Sequence, residues 1–373
     1  PPPLPRLAPI PAGLPDAVPF VGPETLERRR GAPFRARLGA NENGFGPSPA
    51  AVQAMRDAAA EAWKYGDPTS HDLRAALAQR HGVTPDHIVV GEGIDALLGL
   101  TARLFVDPGD TVVTSAGGYP TFDFHVTGFG GEMLRVPYRD DRQDPQALVA
   151  RAGETGARMV YLCNPDNPMG TWHSAEAVTE FAKALPETAM LVLDEAYGET
   201  APASALPTIT ALADLPNVLR FRTFSKAYGL AGQRVGYVFG VEETVSMFHR
   251  VRNHFGVNRL GQAAALASLK DQNWLAHVIA QVETSRDRIA AIASRQGFAP
   301  IASAMQCSWG EKALTGYLGP DRKAWREYDA CALIEDGVRV GEHGLDPLPR
   351  RRGVDGQERS AGLRDAEHDG DEA

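Results

Sequence analysis

Short apolar runs, each closed by glycine or polar residues, recur through the middle of the chain and alternate with stretches of helical spacing. The runs predict strands at 87–91 (HIVVG), 111–115 (TVVTS), 157–163 (ARMVYLC), 189–195 (AMLVLDE), 217–224 (NVLRFRTF) and 234–240 (RVGYVFG). Helices are predicted at 47–63, 69–81, 95–106, 174–185, 242–252 and 259–295. Alternating strand and helix predicts an α/β domain with a mainly parallel sheet. Several strands end in polar or glycine residues, and open α/β sheets place ligands at such ends. Residues 1 to about 35 are Pro-rich without periodicity and are expected to form an extended arm. From about Met305 the pattern fades, and the Arg-, Gly- and Asp-rich stretch after Gly341 is predicted to be disordered.

Length and charge narrow the picture. A chain of 373 residues exceeds one ordinary core, so a large and a smaller domain are expected. The expected boundaries are an arm at 1–37, a large domain at 38–270, a small domain at 271–340 and a tail at 341–373. The net charge of −9 disfavours nucleic acid and anionic membranes as partners. No apolar run is long enough to cross a bilayer and no signal peptide is recognisable, so a cytoplasmic protein is expected. Cys163, Cys307 and Cys331 show neither disulfide nor zinc spacing, and no metal is expected.

The candidate chemistry starts at "TFSKAYGLAGQR" (223–234). A lysine between two buried runs calls for a reason. The plainer reading of Lys226 is a surface lysine in a turn. The alternative is a Schiff-base lysine, desolvated so that its amine is nucleophilic. Thr223, Ser225 and Arg234 beside it could form a phosphate cup. Together they suggest pyridoxal phosphate, an aldehyde with a phosphate handle. Asp194, at the end of an apolar strand, would either cap a helix or face a pyridinium nitrogen. Tyr197 and Asn167 could bond the ring hydroxyl, although Asn167 also suits a plain turn. "GEGIDALL" (91–98) places Ile94 and Asp95 at a helix start, where free amides favour an anion. Asp95 also suits an N-cap there. Tyr119 could stack on a flat ring or be a core aromatic.

In their order these motifs resemble the fold-type-I pyridoxal-phosphate aminotransferases of class I/II, and most of all the histidinol-phosphate aminotransferase subgroup. The resemblance rests on LGANENGFGPSP (38–49), YGDPTSHDLRAAL (65–77), GEGIDALL (91–98), YP (119–120), NPDNPMG (164–170), DEAY (194–197) and TFSKAYGLAGQRVGY (223–237), and spans roughly residues 20–300. It implies a three-layer sandwich around a mainly parallel sheet, with a smaller α+β domain. It implies that Lys226 forms the Schiff base and shuttles the proton, that Asp194 faces the ring nitrogen, that Tyr197 and Asn167 hold the ring hydroxyl and that Tyr119 stacks on the ring. Ile94, Asp95, Thr223, Ser225 and Arg234 would bind the phosphate, with Tyr65 arriving from the second subunit of a homodimer. Asn41, with Tyr65 and Asn167, would border the substrate. The implied reaction moves an amino group from histidinol phosphate or an aromatic amino acid to a 2-oxo acid, 2-oxoglutarate foremost. A related threonine-phosphate decarboxylase and a catalytically impaired cofactor-binding protein are the alternatives.

The pattern breaks in three places. Met169 stands where the family usually has Thr, and Gly44 where Pro is frequent. The family's C-terminal strand R-[IV]-[ST]-x-G, whose arginine binds the substrate carboxylate, is not recognisable; Arg350, Arg351 and Arg352 lie at that depth in a polar context. The abrupt loss after "IASA" (301–304) suggests a shifted reading frame from about residue 305.

Overall fold

The computed structural model describes residues 5–15, 21–34, 40–295 and 299–305, together with the pairs 340–341 and 344–345. Contacts divide the chain into two units, Pro1–Glu327 and Tyr328–Ala373. In the second, β8 (Val340–Gly341) and β9 (Gly344–Leu345) pair antiparallel. The shifted frame, the missing arginine strand, most of the expected small domain and nearly all of the tail fall outside the described residues.

In the first unit, seven strands form one sheet: β1 (Ile88–Gly91), β2 (Thr111–Ser115), β3 (Glu132–Val136), β4 (Met159–Cys163), β5 (Met190–Asp194), β6 (Val218–Thr223) and β7 (Gly236–Phe239). Their spatial order is β1-β7-β6-β5-β4-β2-β3. Only β7 runs antiparallel to its neighbours, so β1 points the same way as β6. The C-terminal ends of β1, β2, β4, β5 and β6 therefore share one edge, and the site is built there.

The helices are α1 (Pro9–Ala12), α2 (Pro23–Arg30), α3 (Pro49–Ala59), α4 (His71–His81), α5 (Gly93–Phe105), α6 (Pro120–Gly128), α7 (Pro145–Thr155), α8 (Ala175–Ala184), α9 (Glu242–Ser246), α10 (Arg259–Lys270) and α11 (Gln272–Arg295). Side chains alternate between the two faces of the sheet. Val112, Met159, Tyr161, Val192 and Phe221 pack with Leu97 and Leu98 of α5 and Phe122 of α6. Val113, Val160, Leu162, Leu191 and Leu193 pack instead with Leu148 of α7 and Phe181 of α8. A third cluster joins Ile88, Val90 and Tyr237 to Leu73, Leu77 and Ala264 of the helices α4 and α10. Each fully buried Leu or Phe contributes roughly 1.5–3 kcal/mol. Both faces are covered, which explains why the strands read as near-continuous apolar runs.

Two expectations are corrected. The N-terminal arm is not uniformly extended, because it contains α1 and α2. Each starts at a proline, and α2 ends with three arginines before Gly31 in the left-handed conformation. These are ordinary start and stop signals that outweigh the missing periodicity. The helix expected over 259–295 breaks at Asp271, between α10 and α11. Capping holds other ends in place: Ser48 accepts a hydrogen bond from the Ala51 amide at 3.0 Å. Ser48→Ala should therefore lower the stability of this protein by about 1 kcal/mol, measured as a shift in the denaturant midpoint at constant slope.

Candidate active site

β5 ends at Asp194, which is 3% exposed. Its position follows from register, since Cys163 of β4 lies opposite Asp194 and Tyr161 opposite Val192. Asp194 Oδ2 accepts from the Tyr161 hydroxyl at 2.7 Å and Oδ1 from the Ala196 amide at 2.9 Å. Burial pushes its carboxyl up to about 6, while the Tyr161 and Ala196 donors and the Lys226 charge favour the anion. A carboxylate buried this deeply, in electrostatic contact with a lysine, is a frequent mark of a functional site.

Lys226 follows β6. Its Nζ lies 3.4 Å from the carbonyl oxygens of both Ala40 and Asn41 and 5.3 Å from the centre of the Tyr197 ring. Tyr197 is buried, and its hydroxyl accepts from Asn41 Nδ2 at 2.7 Å. Asp194, Tyr197, Lys226 and Asn41 are thus gathered at one place.

Beside them, α5 begins at Gly93. Arg234, in the left-handed conformation (φ 54°), lays its guanidinium against that start. A Cβ on Gly93 would stand 2.6 Å from Arg234 Nη2, and Gly93 itself has φ +84°. Gly236 permits an equally close approach, since a Cβ there would meet the Ile94 nitrogen at 2.8 Å. Arg234 Nη1 is 3.5 Å from Ser225 Oγ. The amides at the start of α5, the guanidinium and the Ser225 hydroxyl form a cradle suited to a phosphate. Thr223 Oγ1 accepts from the Ser225 amide at 3.0 Å and so shapes the loop beside the cradle. The Asp95 carboxylate pairs with His125 Nε2 at 3.1 Å.

The remaining predicted residues are more dispersed. Tyr119 precedes α6 and packs half-buried against the cluster that holds Tyr161. Asn167 lies in the turn after β4, where the Asn164–Pro165 and Asn167–Pro168 peptides are cis. Tyr65 is 75% exposed and stacks on Phe255.

The model of the family "Aminotransferase class I and II" matches residues 36–340. The chain belongs to this aminotransferase family. It is 40% identical over 257 residues to a histidinol-phosphate aminotransferase of Moorella thermoacetica, an alignment covering 68% of this chain but only 66% of that relative. It is 35% identical over 336 residues to the histidinol-phosphate aminotransferase of an Anaeromyxobacter species, covering 90% of both. Among solved structures it resembles histidinol-phosphate aminotransferase from Sinorhizobium meliloti in complex with pyridoxal-5′-phosphate, with 55% identity, a TM-score of 0.78 and 80% of each chain covered. Aspartate aminotransferase from Thermus thermophilus, at 24% identity and a TM-score of 0.66 over 76% of this chain and 78% of that one, shares the fold. The mixed, mostly parallel seven-stranded sheet is the α/β fold of these aminotransferases.

Several buried polar residues around the candidate site escape a reading by sequence. Tyr161 sits within an apolar run, and only its buried hydroxyl, which requires a partner, hints at more. Glu195 lies fully buried between two guanidiniums, 2.8 Å from Arg220 and 2.9 Å from Arg222, and Arg222 also reaches Glu199 at 3.1 Å. The alternating arginines of β6 were the available signal. Asp166 accepts from the Tyr138 hydroxyl at 2.8 Å and Gln143 Nε2 at 3.0 Å. Burial pushes the Asp166 carboxyl up to about 7.

Proposed function

We propose that this chain is a pyridoxal-phosphate-dependent aminotransferase that takes the amino group of histidinol phosphate, or of an aromatic amino acid, and passes it to 2-oxoglutarate. The observation that carries the reading is the convergence of Lys226, the buried Asp194 and the Arg234–Ser225–α5 cradle at one edge of the sheet. These residues fit the cofactor. The cradle supplies donors for a phosphate, and the Asp194 carboxylate suits a protonated ring nitrogen. The 55% identity to the Sinorhizobium protein favours histidinol phosphate as donor.

When bound, the cofactor supplies an aldehyde carbon for an amine and a ring that withdraws electrons from Cα. Lys226 Nζ is the amine that would hold the cofactor and, once the donor's amine has taken its place, the base that would accept and return the Cα proton. Asp194 would keep a proton on the ring nitrogen. Tyr197 and Asn167 would donate to the ring hydroxyl, and Tyr119 would cover the ring face. Arg234, Ser225 and the amides of Ile94 and Asp95 would anchor the phosphate, with Thr223 shaping the loop beneath. Asn41 would border the substrate.

A homodimer belongs to the same reading. Trp63 is 79% exposed, and Tyr65, 75% exposed, stacks on Phe255, itself 51% exposed. A second copy would cover these aromatic side chains, and Tyr65 would then reach the partner's phosphate cradle.

The test is to load the purified protein with pyridoxal phosphate and 2-oxoglutarate and to measure glutamate formed from histidinol phosphate, phenylalanine and tyrosine. Glutamate from at least one donor is expected; none from any would overturn the reading. Gly93→Ala is expected to raise the cofactor's dissociation constant at least about tenfold, through a Cβ contact of 2.6 Å with Arg234 and a strained positive φ. Equilibrium dialysis measures it.

A further inference from the structure

We propose that Tyr161 is a positioning residue for Asp194: its hydroxyl keeps the carboxylate ionised and aimed, and so fixes the pH below which turnover fails. The proposal rests on the reading of Asp194 given above.

Tyr161 and Asp194 come from neighbouring parallel strands, and the register of β4 on β5 brings the phenol and the carboxylate to the same face. The hydroxyl stands 2.7 Å from Asp194 Oδ2. The Tyr161 ring is 1% exposed and stacks on Phe122 at 4.7 Å with 20° between the planes. Phe122 is itself fully buried. The phenol is thereby held in one orientation, and the carboxylate is fixed from both sides by Tyr161 and the Ala196 amide.

The direction of the bond is set by chemistry. Burial and the neighbouring Asp194 charge hold the Tyr161 phenol well above its ordinary range, so it stays a donor. Around Asp194, Lys226 from the loop after β6 favours the anion, and Glu195 on its own segment opposes it. Cys163 of β4 and Asp166 of the turn after it also interact with the Asp194 charge. Cys163 is held neutral by burial, and Asp166 is a further potential negative charge. Burial works against the anion throughout. Of the neutral groups that hold the charge, the Ala196 amide is backbone, and the Tyr161 hydroxyl is the one a substitution can remove. Phenylalanine would fill the same space against Phe122, so packing alone does not call for the oxygen.

The experiment compares the full chain with Tyr161→Phe, both loaded with pyridoxal phosphate. Loss of one hydrogen bond to a buried carboxylate is expected to move the acid limb of the kcat/KM–pH profile up by about one pH unit. The cofactor dissociation constant, read by equilibrium dialysis, is expected to rise about tenfold. Phe181→Leu, in the cluster on the opposite face of the sheet, serves as the packing control: it should lower the melting temperature and leave the limb in place. Should Tyr161→Phe fail to fold, 3-fluorotyrosine placed at position 161 keeps the shape with a stronger donor and should move the limb down. An unmoved limb in either variant, with the cofactor bound and turnover measurable, overturns the inference alone. A parent protein that never takes up the cofactor on Lys226 overturns the functional reading and this inference with it.

Discussion

Replacing Lys226 by alanine is expected to lower kcat/KM by about ten-thousandfold or more and to remove the visible absorbance of lysine-linked cofactor. The Nζ atom lies beside the Asn41 carbonyl, 3.4 Å away, and above the Tyr197 ring at 5.3 Å. It also acts electrostatically on the buried Asp194. Alanine leaves neither an amine to hold the aldehyde carbon nor a base to move the Cα proton. Lys226→Arg separates the two properties of the side chain. It keeps the positive charge near Asp194 but has no nucleophilic amine at neutral pH, and its activity should fall as far as alanine's. Phosphate anchoring by Arg234 and Ser225 is untouched, so both variants should still bind the cofactor noncovalently. Steady-state assays and absorbance spectra report the outcome; full activity in either variant would remove Lys226 from the mechanism.

The second large effect is expected from Asp194→Asn, and it has opposite signs for activity and stability. Activity should fall about a thousandfold, because an amide cannot hold a proton on the ring nitrogen. Stability of the cofactor-free protein should rise at alkaline pH. Burial pushes the folded carboxyl up to about 6, above its ordinary value of 3.8. The folded state therefore holds this proton longer than the unfolded state. Stability is lost as pH climbs from about 4 to about 6, and it stays lost above. A shift of about two units corresponds to roughly 3 kcal/mol, so asparagine should recover about 1–3 kcal/mol at pH 8 and almost nothing at pH 4. The amide can still accept from Ala196, and the Tyr161 hydroxyl can turn to accept from its NH2 group. Denaturant titrations of both cofactor-free proteins at these two pH values test the sign.

Much of the sheet was legible because strands buried on both faces form continuous apolar runs. β1, β2, β4, β5, β6 and β7 lie within the predicted stretches. The strand β3 was not legible: it is an edge strand, only partly buried, and its exposed Glu132 and Arg135 break the run. The helices α6 and α7 were also missed, although Asp144 before Pro145 is an N-cap signal and its side chain accepts from the Ala147 amide. The strand expected from Arg234 starts only at Gly236, because Arg234 takes the left-handed conformation.

Lys226 and Asp194 stand out in the sequence because each is a charge placed where the pattern demands apolar residues, and the structure brings them within electrostatic reach of each other. Ser225 and Arg234 were singled out as neighbours of Lys226, and Ile94 by the glycine turn before a helix start. Tyr161 was not, since a tyrosine within ARMVYLC counts as apolar and its partner is set by strand register rather than by sequence neighbourhood. The pairing of Glu195 with Arg220 and Arg222 was hidden for the same reason. The bond from the Ser225 amide to Thr223 Oγ1 depends on local backbone geometry that residue spacing alone does not show.

Lys226 is the residue proposed to carry the cofactor. Borohydride reduction of the protein loaded with pyridoxal phosphate, followed by proteolysis and mass mapping, tests that claim most directly. One stoichiometric pyridoxyl adduct is expected, on the peptide containing Lys226. An adduct on any other lysine in its place, or none at all, would contradict this role.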